Sequence, residues 1–240
     1  MASKATSILI EVDLLYASSR KRLDGNAGIA KSRRMAGPVE FWFDFVSPYG
    51  YLAATQVEAI ASRHGRAVEW RPLLLGVTVL KVMGLKALPD TPLKQDYIRI
   101  DPPRLASLLG VPFSRHSLKG VNSLATARAF LWLKARDPAL AVRYAKRVYA
   151  RLWVEGRDIT SPAAAAEEAV AAGVSATDLL AAIQTEPVKA MLKASVDEAI
   201  ARGIFGVPTF VVDGEPIWGV DRLWMLEHWL RQGNWEPPSA

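Results

Sequence analysis

The stretch FDFVSPYGYLA, residues 43–53, places a serine at the end of an aromatic run and a proline immediately after it. Serine is a preferred helix N-cap and proline a preferred first helical residue, because the first turn leaves amide donors unpaired and proline has none to lose. Ser47-Pro48 therefore predicts a helix start. The same residues admit a chemical reading. Residues 39–46 alternate as a strand buried on both faces, so Ser47 is expected at the carboxyl edge of a sheet, where α/β folds place their ligands. Unpaired amides and a partial positive charge at a helix start suit an anion such as a thiolate, with the serine hydroxyl as a further donor. The pair Asp/Ser-Pro recurs at Asp101-Pro102, Asp137-Pro138 and Ser161-Pro162, so the cap reading stands beside the chemical one.

Other reactive residue types are few. The 240 residues include no cysteine, which excludes a disulfide framework, a thiolate metal site and protein-borne thiol redox chemistry. His64, His116 and His228 lack ligand spacing and read as surface or partly packed imidazoles, so no metal site is expected. The net charge of +6 is concentrated: residues 1–34 hold seven Lys/Arg against three Asp/Glu, and the remaining 206 carry only +2. No basic stripe with interleaved aromatics argues for nucleic acid. A mean hydropathy of +0.10 and the lack of a long apolar run argue against a membrane protein.

The elements that must position Ser47 follow from periodicity. After Val39–Val46 a helix is expected from Pro48 to about His64, stopped by Gly65, then a strand over residues 67–75, AVEWRPLLL. A strand-helix-strand unit of this length favours a parallel pair. From Pro92 to about Arg202, Ala, Leu, Arg and Lys at helical spacing predict four or five helices, with starts at the three Asp/Ser-Pro sites. Strand character returns at PTFVVDGEPIWG, where Asp213-Gly214 predicts a tight hairpin, and Asp221 opens a last helix closed by Gly233. Residues 1–37 read as a flexible basic extension, with Met35 a candidate alternative start. The order β-α-β, helices, β-β-α, with Pro208 at a strand entrance, is that of a thioredoxin-like α/β fold with an inserted all-helical domain. Its thioredoxin-like part comprises 38–75 and 205–235, and the helical insertion is 76–204.

FDFVSPYGYLA, VEWRPLLLG, GVPTF and WGVDRL together resemble the glutathione-dependent branch of the DsbA-like superfamily, the 2-hydroxychromene-2-carboxylate isomerases and kappa-class glutathione transferases. The resemblance spans residues 38 to 232. Redox members carry Cys-Pro-x-Cys where this chain has Ser47-Pro48-Tyr49-Gly50, and the serine form implies that glutathione brings the thiol. The resemblance further implies that Ser47 donates its hydroxyl to the glutathione sulfur, that Pro208 is cis, and that the Val207 backbone pairs with the glutathione peptide. It assigns Asp221 to the γ-glutamyl amino group and Lys94 to a glutathione carboxylate. Tyr97 and Asp101 are given packing or positioning roles. Two positions depart from the pattern: Leu85 stands where the family often has Asn, and Val220, before Asp221, offers glutathione only its backbone.

The implied activity is isomerisation of 2-hydroxychromene-2-carboxylate, or a similar intermediate of aromatic degradation, by reversible thiolate addition. Phe205 and Trp218 are candidates for the wall of a pocket for an aromatic small-molecule substrate, or for plain core. A kappa-like transferase and a non-catalytic glutathione-binding protein are the alternatives. A cytoplasmic homodimer is expected, the dimer by analogy with the family.

Overall fold

Val39–Phe43 forms the central strand β1 because both of its faces find apolar partners: Phe41, Trp42 and Phe43 are all fully buried. The computed structural model describes residues 37–114 and 120–237; the basic extension and His116 lie outside the described residues. A four-stranded sheet has the order β2-β1-β3-β4. Strand β2, Val68–Pro72, runs parallel to β1, with Phe41 opposite Trp70. Strands β3, Thr209–Val212, and β4, Glu215–Trp218, are antiparallel neighbours, with Phe41 opposite Phe210 and Phe210 opposite Ile217. The β3–β4 turn is the expected Asp213-Gly214 pair, at φ of 54° and 92°. Two successive positive φ values match the right-handed twist of the strands, and Asp and Gly are among the residues that tolerate them best.

The sheet's two faces bury different material. Phe41, Phe43 and Phe45 point into the larger core with Tyr51, Leu52, Trp70, Phe130 and Tyr149. Trp42 points the other way, into a smaller cluster with Leu73, Ala199, Ile204, Val207 and Val211. At its rim the guanidinium carbons of Arg71 and Arg202 lie 5.3 and 5.5 Å from the Trp42 ring, while Glu40 accepts from the indole nitrogen at 3.0 Å. Fully burying one such aromatic is worth about 2–3 kcal/mol.

The helix expected over 48–64 is two helices, α1 (Pro48–Ala54) and α2 (Val57–Arg63). At the break the Thr55 hydroxyl donates to the Leu52 carbonyl at 2.7 Å, competing with the helical ladder. Gly65, φ 66°, stops the second helix as expected. After the short α3 (Leu75–Val77) and a π-helical turn at Thr78–Val82, six helices precede β3: α4 (Lys94–Leu109), α5 (Leu124–Lys134), α6 (Pro138–Trp153), α7 (Pro162–Ala171), α8 (Ala176–Ala182) and α9 (Glu186–Ala201). Six among the described residues exceed the four or five expected. Of these, α4, α5 and α9 begin without a side-chain cap hydrogen bond.

Asp137 and Ser161 cap α6 and α7 as the sequence suggests. Asp101-Pro102 does not start a helix: it lies inside α4, which begins at Lys94. The Asp101 carboxylate accepts from two tyrosines instead of capping. Asp221 likewise does not open α10 (Leu223–Gln232) but sits in the 3-10 turn Val220–Arg222 that precedes it.

Candidate active site

Ser47 caps α1. Its φ and ψ of −92° and 119° are extended, and its Oγ accepts from the Gly50 amide at 3.1 Å. That contact uses one lone pair; a hydroxyl has a second and a proton besides, so capping and donation to a ligand are compatible. The turn that delivers Ser47 is tied to the strand, the Ser47 amide donating to the Asp44 carbonyl at 3.1 Å. Ser47 is 4% exposed and Asp44 3%.

Asp44 is an acidic residue within an aromatic strand end, a signal in FWFDF that merited more weight in the sequence. Its carboxylate accepts from the Leu75 amide at 2.8 Å, the Ser123 hydroxyl at 2.5 Å and the Val46 amide at 3.3 Å. Burial still pushes its pKa above the ordinary 3.8, outweighing those donors. The carboxyl thereby joins the end of β1 to the segment after β2 and to the start of α5.

Helix α1 packs against α4, α6 and the 220–222 turn, and Tyr49 lies where these meet. Its hydroxyl donates to Asp101 Oδ2 at 2.8 Å, while Tyr97 donates to Asp101 Oδ1 at 3.0 Å. Burial raises the Tyr49 pKa, and the carboxylates of Asp101 and Asp221 raise it further; for Tyr97 the hydrogen bond to Asp101 is the first cause of the same direction. Both phenols remain protonated donors at neutral pH. Lys94, Tyr97 and Asp101 follow one helix face at spacings of three and four. Lys94 is exposed at the start of α4, and Asp101, two turns on, is the residue bonded to α1 through Tyr49. Tyr49 was not singled out in the sequence, although it stands inside the quoted motif.

Across the sheet end, the Val207-Pro208 bond is cis. The Pro208 carbonyl accepts from the Gly219 amide at 2.9 Å, and the β1–β3 pairing begins only at Thr209. Val207 buries its side chain in the Trp42 cluster, so its N–H and C=O are what it can present outside the ladder. Val220 is 6% exposed, its side chain in the core. Asp221 folds back over Gly219, whose φ of 112° needs a glycine, and meets Arg222 at 3.2 Å. Leu85 is exposed. Phe205 and Trp218 are 46% and 48% exposed and meet edge to face at 4.9 Å, so the plain-core reading does not hold for either.

Among the described residues, one edge of the sheet thus combines a serine hydroxyl, a carboxylate with two phenols, a backbone segment outside the ladder, and an exposed carboxylate.

The family model for the DSBA-like thioredoxin domain matches residues 38–231. A 2-hydroxychromene-2-carboxylate isomerase of Pseudomonas putida is 31% identical over 192 residues, 79% of this chain and 92% of that protein. Glutathione S-transferase kappa 1 of Rattus norvegicus is 30% identical over 215 residues, 83% and 93% of the two chains. A solved 2-hydroxychromene-2-carboxylate isomerase superposes with a TM-score of 0.74 at 27% identity, covering 81% of this chain and 94% of that one.

Proposed function

We propose a glutathione-dependent isomerase activity for this chain, which belongs to the DSBA-like thioredoxin domain family, in the branch of the 2-hydroxychromene-2-carboxylate isomerases and kappa-class glutathione transferases. Its substrate is 2-hydroxychromene-2-carboxylate or a similar bicyclic aromatic acid. The observation that carries the reading is the cysteine-free Ser47-Pro48-Tyr49-Gly50 turn at the same sheet end as the Val207-Pro208 cis bond. A protein without thiols has to borrow one, and the donor set around Ser47 suits glutathione.

Bound glutathione supplies a thiol nucleophile that adds reversibly across a conjugated double bond, which turns as a single bond before the thiol leaves. The chain's own residues prepare that chemistry. Ser47 donates its proton toward the sulfur; one such donor at a helix start lowers a thiol pKa of about 8.5 by about one unit. Val207 lends its backbone N–H and C=O, and Pro208 shapes that ledge. Asp221 takes the γ-glutamyl ammonium, Lys94 a carboxylate, and Val220 its backbone. The exposed edge of Phe205 and Trp218 offers an apolar wall to a bicyclic ring.

A kappa-like transferase is the second reading, favoured by nearly equal identity to both kinds of relative. It consumes glutathione stoichiometrically; an isomerase returns it. A non-catalytic binder is the third, favoured by Leu85 and Val220. The test is the ultraviolet absorbance of bound glutathione thiolate against pH in wild type and Ser47→Ala, followed by turnover of the chromene acid. A thiol midpoint below the free value that is lost in Ser47→Ala, with glutathione recovered after turnover, supports the isomerase. Bound glutathione with an unshifted thiol in both proteins leaves only the binder.

A further inference from the structure

Gly50 is a glycine with an ordinary helical backbone, so conformational freedom does not explain it. Space does. A Cβ at position 50 would lie 2.8 Å from the Tyr149 hydroxyl, 3.2 Å from the Asp44 carbonyl and 3.3 Å from the Ser47 Cβ. Real Cβ atoms essentially never come within 3.0 Å of another heavy atom, so something would have to shift. The Tyr149 hydroxyl has little room to do so. It donates to the Asp44 carbonyl at 3.3 Å, the acceptor already used by the Ser47 amide. Its fully buried ring is wedged against Phe45, Tyr51 and Phe43, with centroids 5.1, 6.0 and 6.1 Å away. The Asp44 carbonyl is held in turn through its own carboxylate, which spans three chain segments.

We propose that Tyr149 and Asp44 are positioning residues for Ser47: together they close the volume beside Gly50 and set the direction of the Ser47 hydroxyl. This rests on the reading of Ser47 given above. Burial, and behind it the Asp44 charge, raise the Tyr149 pKa far above neutrality, so its hydroxyl keeps its proton and stays a donor. Position 50 is also where redox relatives carry the second cysteine of Cys-Pro-x-Cys. In this chain the helical insertion fills that space with a phenol from α6, so the fold is closed to a cysteine there as well as lacking one.

The test is a cycle of Gly50→Ala, Tyr149→Phe and the double variant in the full chain, read two ways. The first reading is the thiol titration of bound glutathione. Gly50→Ala is expected to cut the thiolate fraction at neutral pH about tenfold, one unit of thiol pKa. Tyr149→Phe, which loses one hydrogen bond, is expected to cut it about threefold. The double variant should return to the Tyr149→Phe level, because removing the hydroxyl frees the space. A Gly50→Ala protein with the wild-type thiolate fraction overturns the proposal, as does a double variant no better than Gly50→Ala. The second reading is amide hydrogen exchange at Ser47 without glutathione, which follows the turn whatever the thiol does. If wild type shows no thiol shift, the reading of Ser47 fails, and exchange alone decides the positioning. Faster exchange in Gly50→Ala, restored in the double variant, upholds it; equal rates in all four proteins overturn it.

Discussion

Two serines in this chain begin helices in the same way. Ser47 and Ser161 each precede a proline, each has an extended backbone, and each accepts from the amide three residues on at 3.1 Å. Their surroundings differ. Ser161 follows a loop and is exposed. Ser47 follows the central strand, is 4% exposed, and has its turn fixed by the Asp44 carbonyl. Local hydrogen bonding therefore does not separate a structural cap from a candidate catalytic hydroxyl. The difference lies in what the rest of the fold puts beside it: the buried Asp44 and a phenol from α6.

Substituting each serine tests that contrast most sharply. Ser47→Ala is expected to lower kcat about 100-fold or more, the scale for removing one preorganised donor. Ser161→Ala should leave kcat unchanged and cost about 1 kcal/mol of stability, measured by urea unfolding. Equal stability losses with no loss of turnover in either would erase the distinction. The next largest effect is expected at Asp101, which joins α4 to α1. Asp101→Ala removes the acceptor of two phenols, an expected loss of about 2 kcal/mol. It should also raise the KM for glutathione more than it lowers kcat, because α4, which begins at Lys94, loses its tie to α1. A change confined to kcat would place Asp101 closer to the chemistry than the geometry suggests.

Removing the aromatic edge with Trp218→Ala is expected to raise the KM for a bicyclic aromatic acid a few-fold, about 1 kcal/mol of apolar contact, without moving the thiol midpoint. The smallest effect is on pH dependence. Because burial raises the Asp44 pKa in the folded protein, the native state binds that proton more tightly than the unfolded chain. The group's contribution is then fully present below its ordinary value of 3.8 and is lost as pH rises through the higher folded value. Asp44→Asn should flatten that part of the unfolding free energy against pH. An unchanged slope would mean that the donors around Asp44 cancel its burial.

Much of this was legible in the sequence, and for local reasons. Alternation marked β1, because a strand buried on both faces has to be apolar on both. Asp213-Gly214 marked the hairpin, because few residue pairs accept two positive φ values. Asp137-Pro138 and Ser161-Pro162 marked helix starts, because a cap needs only its own first turn. The motif order carried the fold, with Ser47 and the cis Pro208 at one end of the sheet. Asp101-Pro102 and Asp221 looked like the same caps and were not. One carboxylate is engaged by tyrosines 52 and 4 residues away in sequence; the other lies over Gly219 beside Arg222.

What the sequence determined by itself was the chemistry available: no thiol, a serine at the end of a buried strand, and a proline at a strand entrance. Tertiary structure alone decided the company these residues keep. Tyr149 fills the space beside Gly50 from 99 positions along the chain, and Ser123 reaches Asp44 across 79. Such pairings depend on how the helices pack around the sheet end, and no short window of residue types encodes them. A hydrogen bond needs its partners within about 3 Å, and only the folded chain brings them there.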